Sequence, residues 1–372
     1  MKYLFELGHQ PHISIAELGA ILFSYKDSNF EIKKKDNKSY SLIELPEDIN
    51  IEILMSQLGG TIKIAKNIKQ TGDNIETIVS FLDKNTEGKI HFSVADKKLG
   101  LSIKKELKAI GRSVRYVEPK NAATILHNNL IEKQGDFTIV NNEIFVTLAL
   151  QSFEEMGKRD YDRPGIDDFS GMLPPKLAKI MVNLAQINPK ATILDPFCGS
   201  GTILTEALVM GYNNLIGSDI SKKAIDDTEK NIKWITQNYK LKPKDYQLIE
   251  SDAVKLDKEL KTNSINAIIS EPYLGKPLRG NENKITLENQ ADELAQLYIK
   301  SFKAFYKLLK KDGVIVFVIP QFKHQDGWVT INCLEAIEKI GFEILPFGDG
   351  ESLLYHRPKQ HVGRSIWRFK KI

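Results

Sequence analysis

Apolar and polar positions along this chain follow two periods, one near 2 and one near 3.6. The short run Tyr3-Leu4-Phe5-Glu6-Leu7 predicts a strand. Ser14 precedes Ile15–Leu22 and Glu17 follows three residues on, which predicts a helix opened by a capping box. Two further strands are predicted near Phe30-Glu31-Ile32 and over Ser41–Leu45. Farther on, Leu99, Ile103, Leu107 and Ile110 recur at helical spacing, with Lys104, Lys105 and Lys108 on the other face. Ser113–Val117 then reads as a strand.

The second half repeats strand and helix with more regularity. Pro174-Pro175 opens a helix over 176–185, since proline is tolerated in a first turn. Strands are predicted at Ile193-Leu194, Leu215–Asp219, Tyr246–Glu250, Ile265–Ser270, Val314–Ile319 and Phe342–Leu345, with helices between most of them. This is the pattern of an α/β fold with a doubly wound, mostly parallel sheet. Ser365–Phe369 is predicted as an antiparallel edge strand. The mixed charges, Gly and Pro of residues 151–171 read as a linker. The expected division is therefore 1–60, 61–150, linker 151–171, and 172–372.

Composition narrows the class. With 372 residues, 42% hydrophobic and 27% charged, this is an ordinary globular composition. No apolar run approaches the roughly 20 residues of a membrane span, and no membrane association is expected. The first seven residues turn acidic too soon for a signal peptide. Two distant cysteines point to a reducing compartment, so a cytoplasmic protein is expected. A net charge of +4 is modest, so a nucleic-acid surface must be local. Lys104, Lys108, Arg112, Arg115 and Lys120 form such a cluster over a helix and the following strand, suited to phosphates. A solvated helix face is the alternative.

Candidate chemistry lies between Ile193 and Gly275. Asp195-Pro196-Phe197-Cys198-Gly199-Ser200-Gly201-Thr202 joins a buried strand to a helix through a Gly-x-Gly turn. Glycines there let backbone approach a ligand, at the strand end where open α/β sheets bind. A second strand ends in Asp219, at the distance expected for a residue holding ribose hydroxyls. Leu204 stands where a dinucleotide fingerprint has its third glycine, and no P-loop Gly-Lys-Ser/Thr follows. A nucleoside without pyrophosphate fits better. S-adenosylmethionine suits the three acids, with its amino group at Asp195, its ribose at Asp219 and its adenine near Ser251-Asp252-Ala253.

Ser270-Glu271-Pro272-Tyr273 ends the fourth strand of this half. A polar side chain, a proline and an aromatic ring there suit methylation of an exocyclic amine: polar groups accept from the amine, and the ring stacks on the base. Proximity and orientation then carry much of the rate. Cys198 reads as a packing residue. The histidines show no metal-ligand spacing with cysteines, so no metal site is expected. Lys276 and Arg279 are candidates for a phosphate beside the target nucleotide.

Arg163-Pro164, Ser170–Ala178 and Asp195–Thr202 resemble the archaeal and eukaryotic tRNA (guanosine-10, N2)-methyltransferases that carry a THUMP domain. Gly59–Ile64, Gly111–Arg115, Tyr355-His356-Arg357-Pro358 and Gly363-Arg364 extend the resemblance over nearly the whole chain. It implies a ferredoxin-like domain, a THUMP domain holding the tRNA acceptor end, and a Rossmann-like methyltransferase domain using S-adenosylmethionine. By position, Asp195, Phe197, Gly199 and Gly201 meet the methionine side, Asp219 the ribose and Asp252 the adenine. Pro196, Thr202, Ile220 and Ala253 complete the candidate cofactor set. Members differ in whether they act with a small activator subunit.

One departure concerns catalysis. The family usually has Asp-Pro-Pro-Tyr where this chain has Ser270-Glu271-Pro272-Tyr273. Serine is a neutral and weaker acceptor than a carboxylate. Glu271 either takes over the carboxylate role or points away. The expected activity is methyl transfer to an exocyclic base amine of tRNA, guanine N2 at or near position 10. The alternatives are cytosine or adenine amines in RNA or DNA, or a tRNA-binding protein with impaired catalysis.

Overall fold

The computed structural model describes residues 1–23, 32–35, 38–166, 172–241, 245–348 and 350–372. These form two compact units, Met1–Ser152 and Phe153–Ile372.

The first unit runs β1 (Lys2–Leu7), α1 (Pro11–Ile21), β2 (Lys33–Lys35), β3 (Lys38–Glu44), α2 (Ile51–Gln57), β4 (Thr61–Asn67) and α3 (Asn74–Asn85). It continues through β5 (Ile90–Val94), α4 (Lys97–Ala109), β6 (Val114–Tyr116), α5 (Ala122–His127), β7 (Asp136–Val140) and β8 (Glu143–Leu150). One sheet carries it, in the order β2-β3-β1-β4-β8-β7-β5-β6. Two apolar cores share this sheet, one around Phe5, Leu18, Leu54 and Ile64, the other around Leu82, Phe92, Ile103 and Phe137. Residue 60 falls just before β4, which pairs with both β1 and β8.

The capping box is corrected. Helix α1 begins at Pro11, whose fixed φ suits a first turn, and so starts before Ser14. Ser14 and Glu17 are instead buried inside it and hold the Gly59-Gly60 turn. The Ser14 hydroxyl donates to the Gly60 carbonyl (2.8 Å), and the Glu17 carboxylate accepts from the Gly59 and Gly60 amides (2.8 and 2.7 Å). Ile110 also differs from expectation: it caps α4 and stands 53% exposed. Phe30 and Glu31, expected in a strand, lie outside the described residues.

The second unit opens with α6 (Phe153–Tyr161), so the expected linker contains a helix. Then come α7 (Pro175–Leu184), β9 (Thr192–Asp195), α8 (Thr202–Val209), β10 (Asn214–Asp219), α9 (Lys222–Asn238) and β11 (Asp245–Glu250). A 3-10 turn (Ala253–Lys258) leads to β12 (Ile265–Ser270), α10 (Lys284–Leu308) and β13 (Leu309–His324). The unit closes with β14 (Gly327–Thr330), α11 (Leu334–Gly341), β15 (Phe342–Ile344), β16 (Ser352–Tyr355) and β17 (Val362–Lys371). Strand order is β11-β10-β9-β12-β13-β17-β15, with β14 on β13 and β16 on β17. Strands β9 to β13 pair in parallel, and the order reverses at β9, which opens the crevice where such sheets bind ligands.

The predicted edge strand at Ser365–Phe369 is corrected to an interior one. It belongs to β17, antiparallel between β13 and β15. Its central residues Gly363–Trp367 are all buried, which only a strand covered on both faces achieves. Helix α10 covers this region. Phe302 meets Phe317, Phe342 and Phe369 edge-on at 5.2, 5.4 and 5.2 Å between ring centroids. Such contacts fix β13 and β17 beside β12 and so place the residues at their ends.

Candidate active site

Three neighbouring parallel strands end in polar residues: β9 in Asp195, β10 in Asp219 and β12 in Ser270. Gly199 (φ 52°) and Gly201 (φ 80°) take left-handed conformations that favour glycine. The turn is tied down from both sides. The Gly199 amide donates to Asp219 Oδ2 (3.0 Å), and the Thr228 hydroxyl donates to the Gly199 carbonyl (2.7 Å). Asn231 donates to the carbonyls of Ser200 and Gly165 and accepts from the Gly165 amide, all at 2.8 Å. A methyl group at Gly199 would meet nothing within 4 Å, whereas one at Gly201 would strike Thr228 Cγ2 at 2.8 Å. The turn therefore leaves open space at Gly199 and none at Gly201.

Asp195 is buried and accepts from the Ser270 hydroxyl (2.6 Å) and the Phe197 amide (3.2 Å). Burial pushes its carboxyl up to about 7, more than these hydrogen bonds pull it down, and the charges of Asp219 and Glu271 push the same way. A cation beside it would relieve that repulsion, so these acid- and glycine-rich strand ends fit a cationic nucleoside. Asp219 Oδ1 accepts from the Ser221 amide (2.9 Å), and Asp252 caps the 3-10 turn through the Val254 amide (3.1 Å). The Ser251 amide donates to the Asp219 carbonyl (2.9 Å), joining the second and third acidic corners. Ile220 stands 73% exposed beside them. Pro196 and Ala253 are buried, and Phe197 is half-buried against Phe317. Thr202 accepts from Arg163 Nη1 (2.6 Å). Cys198 is buried and its thiol is pushed well up, consistent with packing.

The candidate catalytic residues separate in their surroundings. Ser270 is fully buried, with its hydroxyl hydrogen given to Asp195. Glu271 Oε1 accepts from Arg364 Nε on β17. Pro272 is buried, while Tyr273 is 53% exposed and its carbonyl accepts from the buried Tyr298 hydroxyl (2.7 Å). Lys276 and Arg279 are exposed in the same loop. A cavity of about 540 Å³ beside α11 is lined by Ser365 and Trp367. Neither Arg364 nor Glu271 lines it.

Sequence reasoning missed Arg364 as a partner, along with Tyr298, Asn231 and the buried ion pair Arg159–Glu206 (2.7 Å). Gly363-Arg364 is visible as a motif, but nothing in it reveals the register that brings it to Glu271.

In the first unit, Lys108, Arg115 and Lys120 are exposed and Lys104 is half-buried. Arg112 is engaged by the Asp83 carboxylate (3.0 Å) and the Thr86 carbonyl. Beside Arg115, His91 is held low by burial and by Lys133, Lys89 and Arg115, which marks an electropositive surface that the spacing did not reveal.

Residues 164–326 match the RMKL-like methyltransferase domain family. Residues 19–230 match a DNA methylase family, a match that ends before Ser270. The tRNA (guanine(10)-N2)-dimethyltransferase of Methanothermobacter thermautotrophicus is 25% identical over 321 residues, 84% of this chain and 86% of that protein. The probable tRNA (guanine(10)-N2)-dimethyltransferase of Methanothermococcus thermolithotrophicus is 31% identical over 147 residues, 38% of this chain and 78% of that protein. The chain belongs to the tRNA (guanine(10)-N2)-dimethyltransferase family. Among solved structures, TrmN from Thermus thermophilus shares the fold, with a TM-score of 0.53 at 15% identity and 100% of both chains covered. S-adenosylmethionine is the cofactor of such a methyltransferase domain. Among the described residues, no helix is long and apolar enough to cross a membrane.

Proposed function

We propose that this protein is an S-adenosylmethionine-dependent tRNA methyltransferase acting on guanine N2 at or near position 10. The observation that carries this reading is the joining of Asp195 to Ser270 at the mouth of the sheet, with an exposed Tyr273 in the same loop. When bound, S-adenosylmethionine supplies an electrophilic methyl group on a sulfonium. Asp195 offsets the cation's charge, Gly199 leaves room for it, and Asp219, Ile220 and Asp252 line the nucleoside end. Tyr273 stacks on the target base. The backbone carbonyl of Glu271 or Pro272, and the Glu271 carboxylate, accept from the amine. Lys276 and Arg279 meet a flanking phosphate.

The first unit is read as a ferredoxin-like and THUMP-type region that carries tRNA on Lys104, Lys108, Arg115 and Lys120. The division at residue 60 and a small activator subunit belong to this reading as well. A free Ser270 hydroxyl would suit cytosine or adenine, but here it is committed to Asp195.

The test is transfer from labelled S-adenosylmethionine to unmodified tRNAs, followed by nucleoside analysis. N2-methylguanosine or N2,N2-dimethylguanosine is the expected product. Methylated cytosine or adenine alone would overturn the reading.

A further inference from the structure

Ser270 has no exposed surface, so its side chain is closed to a target base. The acidic side chain nearest to Tyr273 in sequence is Glu271, whose charge is felt at Asp195. Arg364 engages one of its oxygens, Oε1. Oε2 takes no hydrogen bond among the described residues. Arg364 is itself buried on β17, in register with Pro320 of β13, and so holds the carboxylate from a fixed scaffold.

A carboxylate is an acceptor with two oxygens side by side. Guanine offers two adjacent donors on its Watson–Crick edge, N1–H and the N2 amine. Adenine and cytosine place their amine beside a ring nitrogen that is an acceptor, which a carboxylate repels. Two correct hydrogen bonds against one correct and one repulsive contact is a large difference at a carboxylate whose side chain is only 11% exposed.

We propose that Glu271 selects guanine at this site through its paired N1–H and N2–H donors, and that Arg364 is the positioning residue that aims it. The proposal rests on the guanine reading above. It makes the Ser-to-Asp195 bond and the Glu–Arg bond two halves of one exchange: the serine serves the cofactor side, and the carboxylate next to it serves the base.

The experiment replaces the target guanosine by 2-aminopurine, which keeps the N2 amine but presents N1 as an acceptor. The wild-type enzyme is expected to favour guanine by roughly 10- to 100-fold in kcat/KM, the scale of a bidentate base contact. Glu271→Gln can turn its amide oxygen to the amine and its NH2 to N1, so the preference is expected to collapse or invert. 2-Aminopurine fluorescence with S-adenosylhomocysteine bound reads the same shift as a Kd, without turnover. Arg364→Lys should keep most of the preference, and Arg364→Met should lose it while affinity for S-adenosylhomocysteine stays normal. Guanine methylation by the wild type with the same base preference in Glu271→Gln and Arg364→Met would overturn this inference alone. Wild-type transfer to cytosine or adenine only would overturn the guanine reading and this inference with it.

Discussion

The Ser270 hydroxyl donates to the Asp195 carboxylate across 2.6 Å, so the ends of β9 and β12 form one buried hydroxyl–carboxylate unit. Burial pushes the Asp195 carboxyl up to about 7, and a cationic ligand favours its ionised form. Affinity for S-adenosylmethionine should therefore rise about tenfold per pH unit from 5.5 to 7 and then level off. Ser270→Ala removes a bond that favours the ionised form and should move the break upward. Calorimetric titration across this range checks both, and a pH-independent affinity would remove Asp195 from the binding site.

The same carboxyl sets a stability slope. The folded protein keeps this proton to about pH 7, whereas the unfolded chain releases it near 3.8. Its contribution is full below about pH 4 and is lost as pH rises to about 7, at about 1.4 kcal/mol per unit. Above that range it is flat. Asp195→Asn should be the more stable protein at pH 8 and should lack this slope in denaturant titrations without ligand.

Two glycines of one turn should respond differently. Gly201→Ala forces a Cβ into Thr228 at a positive φ, and should lower stability by about 1–3 kcal/mol. Gly199→Ala meets open space and should cost about 1 kcal/mol of fold stability, yet weaken S-adenosylmethionine binding by more than tenfold. Parallel thermal melts and ligand titrations separate the two effects.

On the first unit, Lys108→Ala, Arg115→Ala and Lys120→Ala should each flatten the salt dependence of tRNA binding by about 0.7–0.9 in slope. Arg112→Ala should leave that slope alone and lower the melting temperature, because its guanidinium holds Asp83 and Thr86. Filter binding at several salt concentrations, beside melts, distinguishes a phosphate contact from a structural one.

What the sequence made legible follows from how local each signal is. The Gly-x-Gly turn, the acids closing β9 and β10 and the run Ile265–Ser270 are set by neighbours a few residues away, and the structure places them as the pattern predicts. The start of α1 is not legible, because Ser14 and Glu17 have the spacing of a cap but spend their polar atoms on Gly59-Gly60, a contact no spacing rule contains. The partners of Glu271 and Tyr273 were hidden for the same reason: Arg364 lies 93 positions from Glu271, and Tyr298 lies 25 from Tyr273. Strand register and helix docking decide such contacts.

Strand β17 is synthesised after β13 and β15, yet it lies between them. On the ribosome β13 thus emerges with an unfilled edge, its apolar segment Val314–Ile319 waiting for Val362–Lys371 to be translated. Arg364 arrives on that late strand, so its ion pair with Glu271 forms only after Val362–Lys371 is translated. The glycine turn is therefore translated well before the strand that holds the Glu271 carboxylate.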